Sequence, residues 1–478
     1  MFDRENPPLR RSPSSNQLAE IVSDDFPVFH GIPESSGELR GLTKKSAVKP
    51  KLIPASPATS FGVSLLPMRI LLWHGYLLGG TGSNVYSRAL AREWSRGGHE
   101  VVVVSQERAP EQYDLGGAQA VAVDLPGRLL PVFVMDRYEG LEPKFLQDFS
   151  EAERRAYVEA NAAALRALLP ADLVFTNHVL MGGPVGAASG APFRVKAHGS
   201  ELEYSMRGRP ELGEWARETL ARADATYVGS EHIREVLADV VGHTERVFNV
   251  PPGVDIDRFV LQDRGAALED LLAEARKDPP NGGDERLPDD GNAQRLAAFL
   301  DGLGPLVVYF GKLIEEKGVQ VLLEAMRGID ARLVVVGFGP YRSTLESLAP
   351  SRTLFTGPLE HRHLRHLLPL ADVTVVPSIF PEAFGMVAAE AAAAGSPPLV
   401  ARHSGLAEVA AGLEEEYPER FRHLASFETG DAADLARKLN EVLALSPAEH
   451  DVLRQSARQA VVDRWSWASI ARRLLAPV

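Results

Sequence analysis

Pro377-Ser378-Ile379-Phe380-Pro381-Glu382-Ala383-Phe384-Gly385-Met386-Val387-Ala388-Ala389-Glu390, followed by alanines up to Gly395, is the stretch whose reading decides the fold. The apolar run before it, Ala371 to Val376, has the composition of a strand, and the alanines after it read as a helix. Glu382 then falls in the strand-to-helix turn, and Glu390 lies one to two turns inside. Such a turn leaves unpaired backbone N–H groups pointing outward, which makes an anion site. A carboxylate is out of place in a turn that only binds phosphate. It fits a turn that grips a phosphorylated molecule with hydroxyls of its own. Singly, Glu390 reads as a plain helix glutamate and Glu382 as a carboxylate set against the helix dipole. Neither reading explains why Pro-Glu-Ala-Phe-Gly precedes the helix.

Working outward, the same strand-turn-helix grammar recurs. Arg69 to Trp73 reads as a buried strand, Gly79 to Asn84 as a glycine-rich turn, and Val85 to Arg96 as a helix stopped by Gly97-Gly98. His99 to Val104 is the next strand, and its continuous valines imply a parallel sheet covered on both faces. Further strands are expected at Ala171 to Phe175, Phe193 to Ala197 and Ala225 to Val228, with a helix over Ser150 to Leu169. A second series begins at Pro305 to Phe310 and continues through Arg332 to Val336, Ala371 to Val376 and Pro397 to Val400. The expected organisation is a disordered leader over 1–67, rich in Pro, Ser and mixed charge, with Met68 just ahead of the first strand. A Rossmann-like domain over 68–255 follows, then an acidic connector over 256–303 with a loop at Asp278 to Asp284. A second Rossmann-like domain over 304–460 and a C-terminal amphipathic helix over 461–478 complete it. Two such domains place a ligand cleft between the carboxyl ends of two sheets.

Composition narrows the function. The chain has 478 residues, 45% hydrophobic and 24% charged, as in a globular protein of more than one domain. A net charge of -13 argues against nucleic acid as a partner. Peripheral contact with an acidic membrane stays open, because whole-chain charge does not exclude a local basic patch. The absence of cysteine excludes disulfides and thiolate metal sites. No apolar run approaches the roughly 18 residues of a membrane span, and the amino terminus lacks a signal-peptide core, so a cytoplasmic location is expected.

Three other loops sit at strand ends. Gly79 to Asn84, with Gly80, Thr81 and Gly82, suits close approach to phosphate, or is simply a tight turn. Gly311 to Gly318 carries Lys312 and Lys317, which could neutralise a diphosphate or be a solvated helix start. His198, ahead of Gly199, could bond a sugar hydroxyl or assist proton transfer, or be one more packed histidine.

Together these motifs resemble the retaining glycosyltransferase family 4, of GT-B fold, over Met68 to the carboxyl terminus. The resemblance rests on Glu382 to Glu390, Ser404 to Val409, Gly311 to Gly318, Pro252 to Asp255, and the tail around Trp465-Ser466-Trp467. It implies a nucleoside diphosphate sugar held mainly by the second domain. Lys312 and Lys317 would contact the diphosphate, Glu390 the ribose and Glu382 the transferred sugar. The backbone N–H groups of Phe384, Gly385, Met386 and Val387 would complete the anion site. From the first domain, His198 would contact the donor sugar, and Gly80, Thr81 and Gly82 would approach the phosphates and acceptor. No cofactor and no obligatory metal are implied. Lys312 stands where the family commonly has arginine, which keeps the charge but loses the bidentate fork. The acceptor is a hydroxyl of unknown identity, and the donor base, linkage and oligomeric state are not legible. Two rival classes are an NAD-dependent oxidoreductase, for which Glu107 would bond a ribose, and a non-catalytic sugar-nucleotide binding protein.

Overall fold

The computed structural model describes residues 66–478 except 80, 81, 134, 136, 137 and 139. The leader expected over 1–67 therefore lies, up to residue 65, outside the described residues, as do Gly80 and Thr81. The strands of the first half are β1 (Arg69–Trp73), β2 (Glu100–Ser105), β3 (Gln119–Ala122), β4 (Leu129–Val132), β5 (Glu142–Phe145), β6 (Leu173–Asn177), β7 (Phe193–Lys196), β8 (Ala225–Val228) and β9 (Val247–Asn249). β4 and β5 pair only with each other; the rest form a seven-stranded sheet ordered β3-β2-β1-β6-β7-β8-β9. The second half contributes β10 (Leu306–Phe310), β11 (Arg332–Val336), β12 (Thr353–Phe355), β13 (Val373–Val376), β14 (Pro398–Ala401) and β15 (Ser426–Phe427). These make a six-stranded sheet ordered β12-β11-β10-β13-β14-β15.

Among the described residues every strand pairing is parallel. Central strands β1, β2, β6, β10, β11 and β13 are buried on both faces, and for this reason their sequences are unbroken apolar runs. Both sheets reverse direction of winding at their first strand, between β1 and β6 and between β10 and β13. Loops leaving such neighbouring strands diverge and open a crevice at their carboxyl ends. The fold is thus α/β with two Rossmann-like, doubly wound domains of the GT-B kind.

Three stretches differ from expectation. Gly82, Ser83 and Asn84 belong to the helix Gly82–Arg96 rather than the turn before it. The stretch read as an acidic connector carries helices Arg264–Ala275 and Asn292–Leu300, with only the segment between them a loop. Ala267, Leu271 and Leu296 are fully buried in the core of the second domain, because the charged residues there are the outer faces of helices and not a solvated linker. The C-terminal helix is broken: a wide turn, Val461–Trp465, ends at Ser466, whose Oγ caps the helix Trp467–Leu475 through the Ser469 N–H at 3.3 Å. Among the described residues no helix is long and apolar enough to cross a membrane.

Burial of Leu271 makes a direct prediction. Leu271→Ala should destabilise the protein by ~2–5 kcal/mol in urea unfolding, as cavity-forming core substitutions do. A change below ~0.5 kcal/mol, typical of surface sites, would return the segment to a linker.

Candidate functional site

In the second domain the loops after β10 and β13 meet at the switch point. Lys317 ends a short turn, Glu315–Lys317, and is followed by Gly318 at φ 66°. A Cβ on Gly318 would lie 1.9 Å from the Pro377 carbonyl oxygen, so only glycine lets the two loops touch backbone to backbone. The Ile379 and Phe380 N–H groups donate to the Glu316 carbonyl at 3.0 and 3.2 Å. This sets the Lys317 ammonium on Glu382 Oε1 as an ion pair. Lys312 is exposed on the same loop, whose backbone is held by the Tyr309 hydroxyl donating to the Lys312 carbonyl at 2.8 Å.

Glu382 is itself held by its main chain. Its N–H donates to Ser404 Oγ at 2.9 Å, and its carbonyl accepts from the Gly405 N–H at 3.0 Å. Phe384 is buried against Trp465, ring centroids 5.7 Å apart. Gly385 adopts φ 112° and opens the helix Met386–Ala393, whose first-turn N–H groups have no partner within the helix. Glu390 lies in the second turn, with Oε1 3.4 Å from His361 Nε2. The hydrogen bond to Glu390 raises the His361 pKa above its ordinary 6.5, against the effect of burial. A cavity of about 580 Å³ opens beside this pair, lined by Arg258, Leu359, Glu360, His361, Arg362, Leu364 and Arg365.

The first domain faces this with neutral, packed groups. His198 follows β7; its Nε2 is 2.9 Å from Asn177 Oδ1, and its ring packs against His178 at 4.6 Å and perpendicular to Tyr86 at 5.4 Å. Burial, then the neighbouring His178, Lys196 and His74, hold its imidazole well below the usual range. A Cβ on Gly199 would be 3.7 Å from Ala383 Cβ, so His198 and Glu382 each stand one residue from a contact across the cleft. Gly82 begins its helix with nothing within 4 Å of the Cβ position. Glu107 accepts the N–H groups of Leu78, Arg108 and Ala109 and so ties down the loop it would need to leave to reach a ribose.

The structure also gathers residues that sequence reading missed. His74 follows β1 and His178 follows β6, and both rings are buried beside His198. Burial lowers His74 to about 4 and holds His178 well below its usual value. Their signal was available: each is the first or second residue after a buried strand, the same placement that singled out His198. Among the described residues no group of three or more histidines and carboxylates is placed to hold a metal ion.

Two doubly wound domains with facing strand ends, one charged and one neutral, define the class as an α/β protein of GT-B architecture. Comparison with known proteins gives the family. Residues 295–460 match Glycosyl transferases group 1, and residues 80–258 match Glycosyltransferase Family 4. A D-inositol 3-phosphate glycosyltransferase of Xylanimonas cellulosilytica is 30% identical over 361 residues, 69% of this chain and 77% of that protein. A GDP-mannose-dependent monoacylated alpha-(1-6)-phosphatidylinositol monomannoside mannosyltransferase of Corynebacterium glutamicum is 26% identical over 313 residues, 62% of this chain and 72% of that protein. HepE of Anabaena, solved with UDP and glucose, shares the fold with TM-score 0.58 at 15% identity, over 85% of this chain and 98% of that one. Sucrose-phosphate synthase of Thermosynechococcus elongatus does so with TM-score 0.58 at 21% identity, over 85% and 97%. The chain belongs to the family 4 glycosyltransferases.

The Glu390–His361 pair carries a pH signature. A histidine raised by its partner contributes stability that is complete below its ordinary pKa and is lost as pH rises through the raised value. In Glu390→Gln the His361 titration, followed by NMR of the imidazole, should move down; an unmoved midpoint would mean that the pair does not form in solution.

Proposed function

We propose that this protein transfers a glycosyl group from a nucleoside diphosphate sugar to an acceptor hydroxyl with the anomeric configuration retained. The observation that carries the reading is the Lys317–Glu382 pair, set at the second switch point and facing the His198–Gly199 loop. A diphosphate arriving there would draw Lys317 from Glu382, and Lys312 and the N–H groups of Phe384, Gly385, Met386 and Val387 would join it. Glu390 would bond the ribose, and the cavity around His361 is of a size for the nucleobase. Glu382, released from Lys317, would hold hydroxyls of the transferred sugar, with His198 opposite. His198 enters as a neutral hydrogen-bonding group, since burial disfavours its cation. The chain's own cations and helix start would carry leaving-group charge, and no metal is assigned a step.

In the proposed step the bond between the anomeric carbon and the phosphate oxygen breaks, and its electron pair goes to that oxygen. The acceptor oxygen bonds the anomeric carbon on the same face, and its proton passes to the departing phosphate oxygen. Glu382 positions the sugar and forms no covalent intermediate. One relative is named for D-inositol 3-phosphate and the other for GDP-mannose and a phosphatidylinositol monomannoside, so GDP-mannose with an inositol phosphate is the first pair to test.

A thermal-shift panel of GDP, UDP, ADP, their sugars and NAD tests the donor. One nucleoside diphosphate family should raise the melting temperature by mass action, and Glu390→Ala and Lys317→Ala should abolish the rise. Lys317→Ala should also lower kcat by ~100-fold or more if it stabilises the leaving group. Stabilisation by NAD alone would overturn the reading in favour of an oxidoreductase. Nucleotide binding without turnover would leave a sugar-nucleotide binding protein. The anomeric configuration of the product, read by NMR coupling constants, tests retention.

A further inference from the structure

The transferase reading uses charged groups of the second domain and His198 of the first, but it leaves one buried carboxylate without a role. Glu201 is 0% exposed and begins the turn Glu201–Met206 after β7. Its Oε1 accepts the backbone N–H groups of Val179 at 2.8 Å and His198 at 3.2 Å, and Oε2 accepts that of Leu180 at 3.2 Å. Among the described residues it pairs with no lysine or arginine; the nearest cationic candidate is His178, with Nδ1 3.8 Å from Oε1. A buried carboxylate without a counter-ion is unfavourable unless hydrogen bonds replace its water, and here the three N–H groups offset part of that cost.

Those donors belong to two different strand ends, the loop after β6 and the loop after β7. The first of these starts at His178, whose φ of 69° lies in the left-handed region that a histidine seldom occupies. The two residues that follow it are the ones bonded to Glu201, so the strained start of the loop is clamped by that carboxylate. The same carboxylate clamps the main chain of His198. The ring nitrogens of His178 have no hydrogen-bond partner among the described residues, so nothing but this clamp and packing sets that ring.

We propose that Glu201 is a positioning residue for glycosyl transfer, one carboxylate that fixes the His178 and His198 imidazoles relative to each other and to the Glu382 loop. The proposal rests on the transferase reading above; Glu201 itself touches no substrate. The titratable groups that face it are His178 from the β6 loop, His198 from the β7 loop, and His74 and Tyr76 from the β1 loop, the first stacked on His178 and the second edge-on to it. Burial pushes the Glu201 carboxyl up to about 8, against the pull of the three N–H donors. As pH rises through that value the proton leaves and both oxygens become acceptors, so the clamp is complete above about 8 and loosened below it.

The experiment uses the full chain, with GDP-mannose and UDP-glucose as donors, release of GDP or UDP as the turnover assay, and pH 6 to 9.5 as the range. Glu201→Gln puts an amide N–H₂ against backbone donors, and kcat should fall ~10–100-fold while donor KM and the GDP or UDP thermal shift stay within ~2-fold. Glu201→Asp, which keeps two acceptor oxygens, should recover part of kcat, and the rise of wild-type activity near pH 8 should vanish in Glu201→Gln. A kcat within ~3-fold of wild type would overturn the proposal, as would equal loss in Asp and Gln with the pH profile unmoved. If Glu201→Gln does not fold, the wild type still decides. The His178 and His198 ring signals should shift with a midpoint near 8 without imidazole protonation, and their constancy between pH 7 and 9 would overturn the proposal. Absence of any nucleotide response in wild type would count against the transferase reading alone, because the ring signals do not depend on a donor.

Discussion

The cleft exists because the two sheets keep one orientation, and a single carboxylate ties that orientation to the Glu382 loop. Glu408, one turn inside the helix Ser404–Glu416, accepts the Glu231 backbone N–H and, at 2.8 Å, the Asn249 side-chain amide, both in the first domain. The start of the same helix accepts and returns the hydrogen bonds of Glu382. One rigid helix therefore transmits the position of the first domain to the carboxylate at the switch point. Burial raises the Glu408 pKa, so the contact works only because its bonds replace the water it loses. Around it the chain crosses between domains twice, at Val250 to Val254 and at Trp465 to Trp467. The two crossings bond each other, Val254 N–H to Trp465 C=O at 2.7 Å and Trp467 N–H to Val254 C=O at 3.3 Å. Lys196, pushed down to about 7 by burial, donates to the Val250 carbonyl at 2.7 Å and so pins the crossing to the last residue of β7, two residues before His198.

The helix Trp467–Leu475 then returns to the first domain and buries Trp467, Ile470 and Leu474 in the core formed with Trp94, Phe175 and Tyr227. Its carbonyls are taken by first-domain groups: Ala471 by the Trp94 indole at 3.0 Å, and Leu474 by Arg194 and the Tyr227 hydroxyl. A C-terminal helix packed in the core of the N-terminal domain ties the two domains together a second time, beside the first crossing.

How much of this was legible follows from what each segment buries. β1, β2, β10, β11 and β13 are covered on both faces, so their valine runs could be read at once, whereas the strand order that makes the two switch points emerges only in the folded sheets. β9, β12 and β15 are two to three residues long at or near the sheet edges, too short to carry a period, and β3 is only partly buried. The segment over 262–300 misled because its charges are dense, yet Leu271 and Leu296 are spaced to face one core. Glu382, Glu390 and Lys317 could be found because motif and strand end coincide. His74 and His178 carried the same strand-end signal as His198, but how they and Glu201 act together lies in mutual distance across three loops, which one sequence does not encode locally.

The two halves of the site differ in kind, and the difference has a physical origin. The second-domain half is partly exposed and charged: Lys312, Lys317 and Glu382 stand on loops and Glu390 on the helix that follows, where solvent still reaches and ions are cheap to keep. The first-domain half is dry, and its imidazoles are held neutral by burial, with Glu201 satisfied by backbone donors alone. A charged diphosphate belongs on the first kind of surface, since it brings its own counter-charges into partnership. A neutral sugar hydroxyl belongs against the second, where neutral donors and acceptors bind it without competing for the phosphate. The close approach of Ala383 to Gly199 places the boundary between the two environments beside Glu382, where on the proposed reading the glycosidic bond would break.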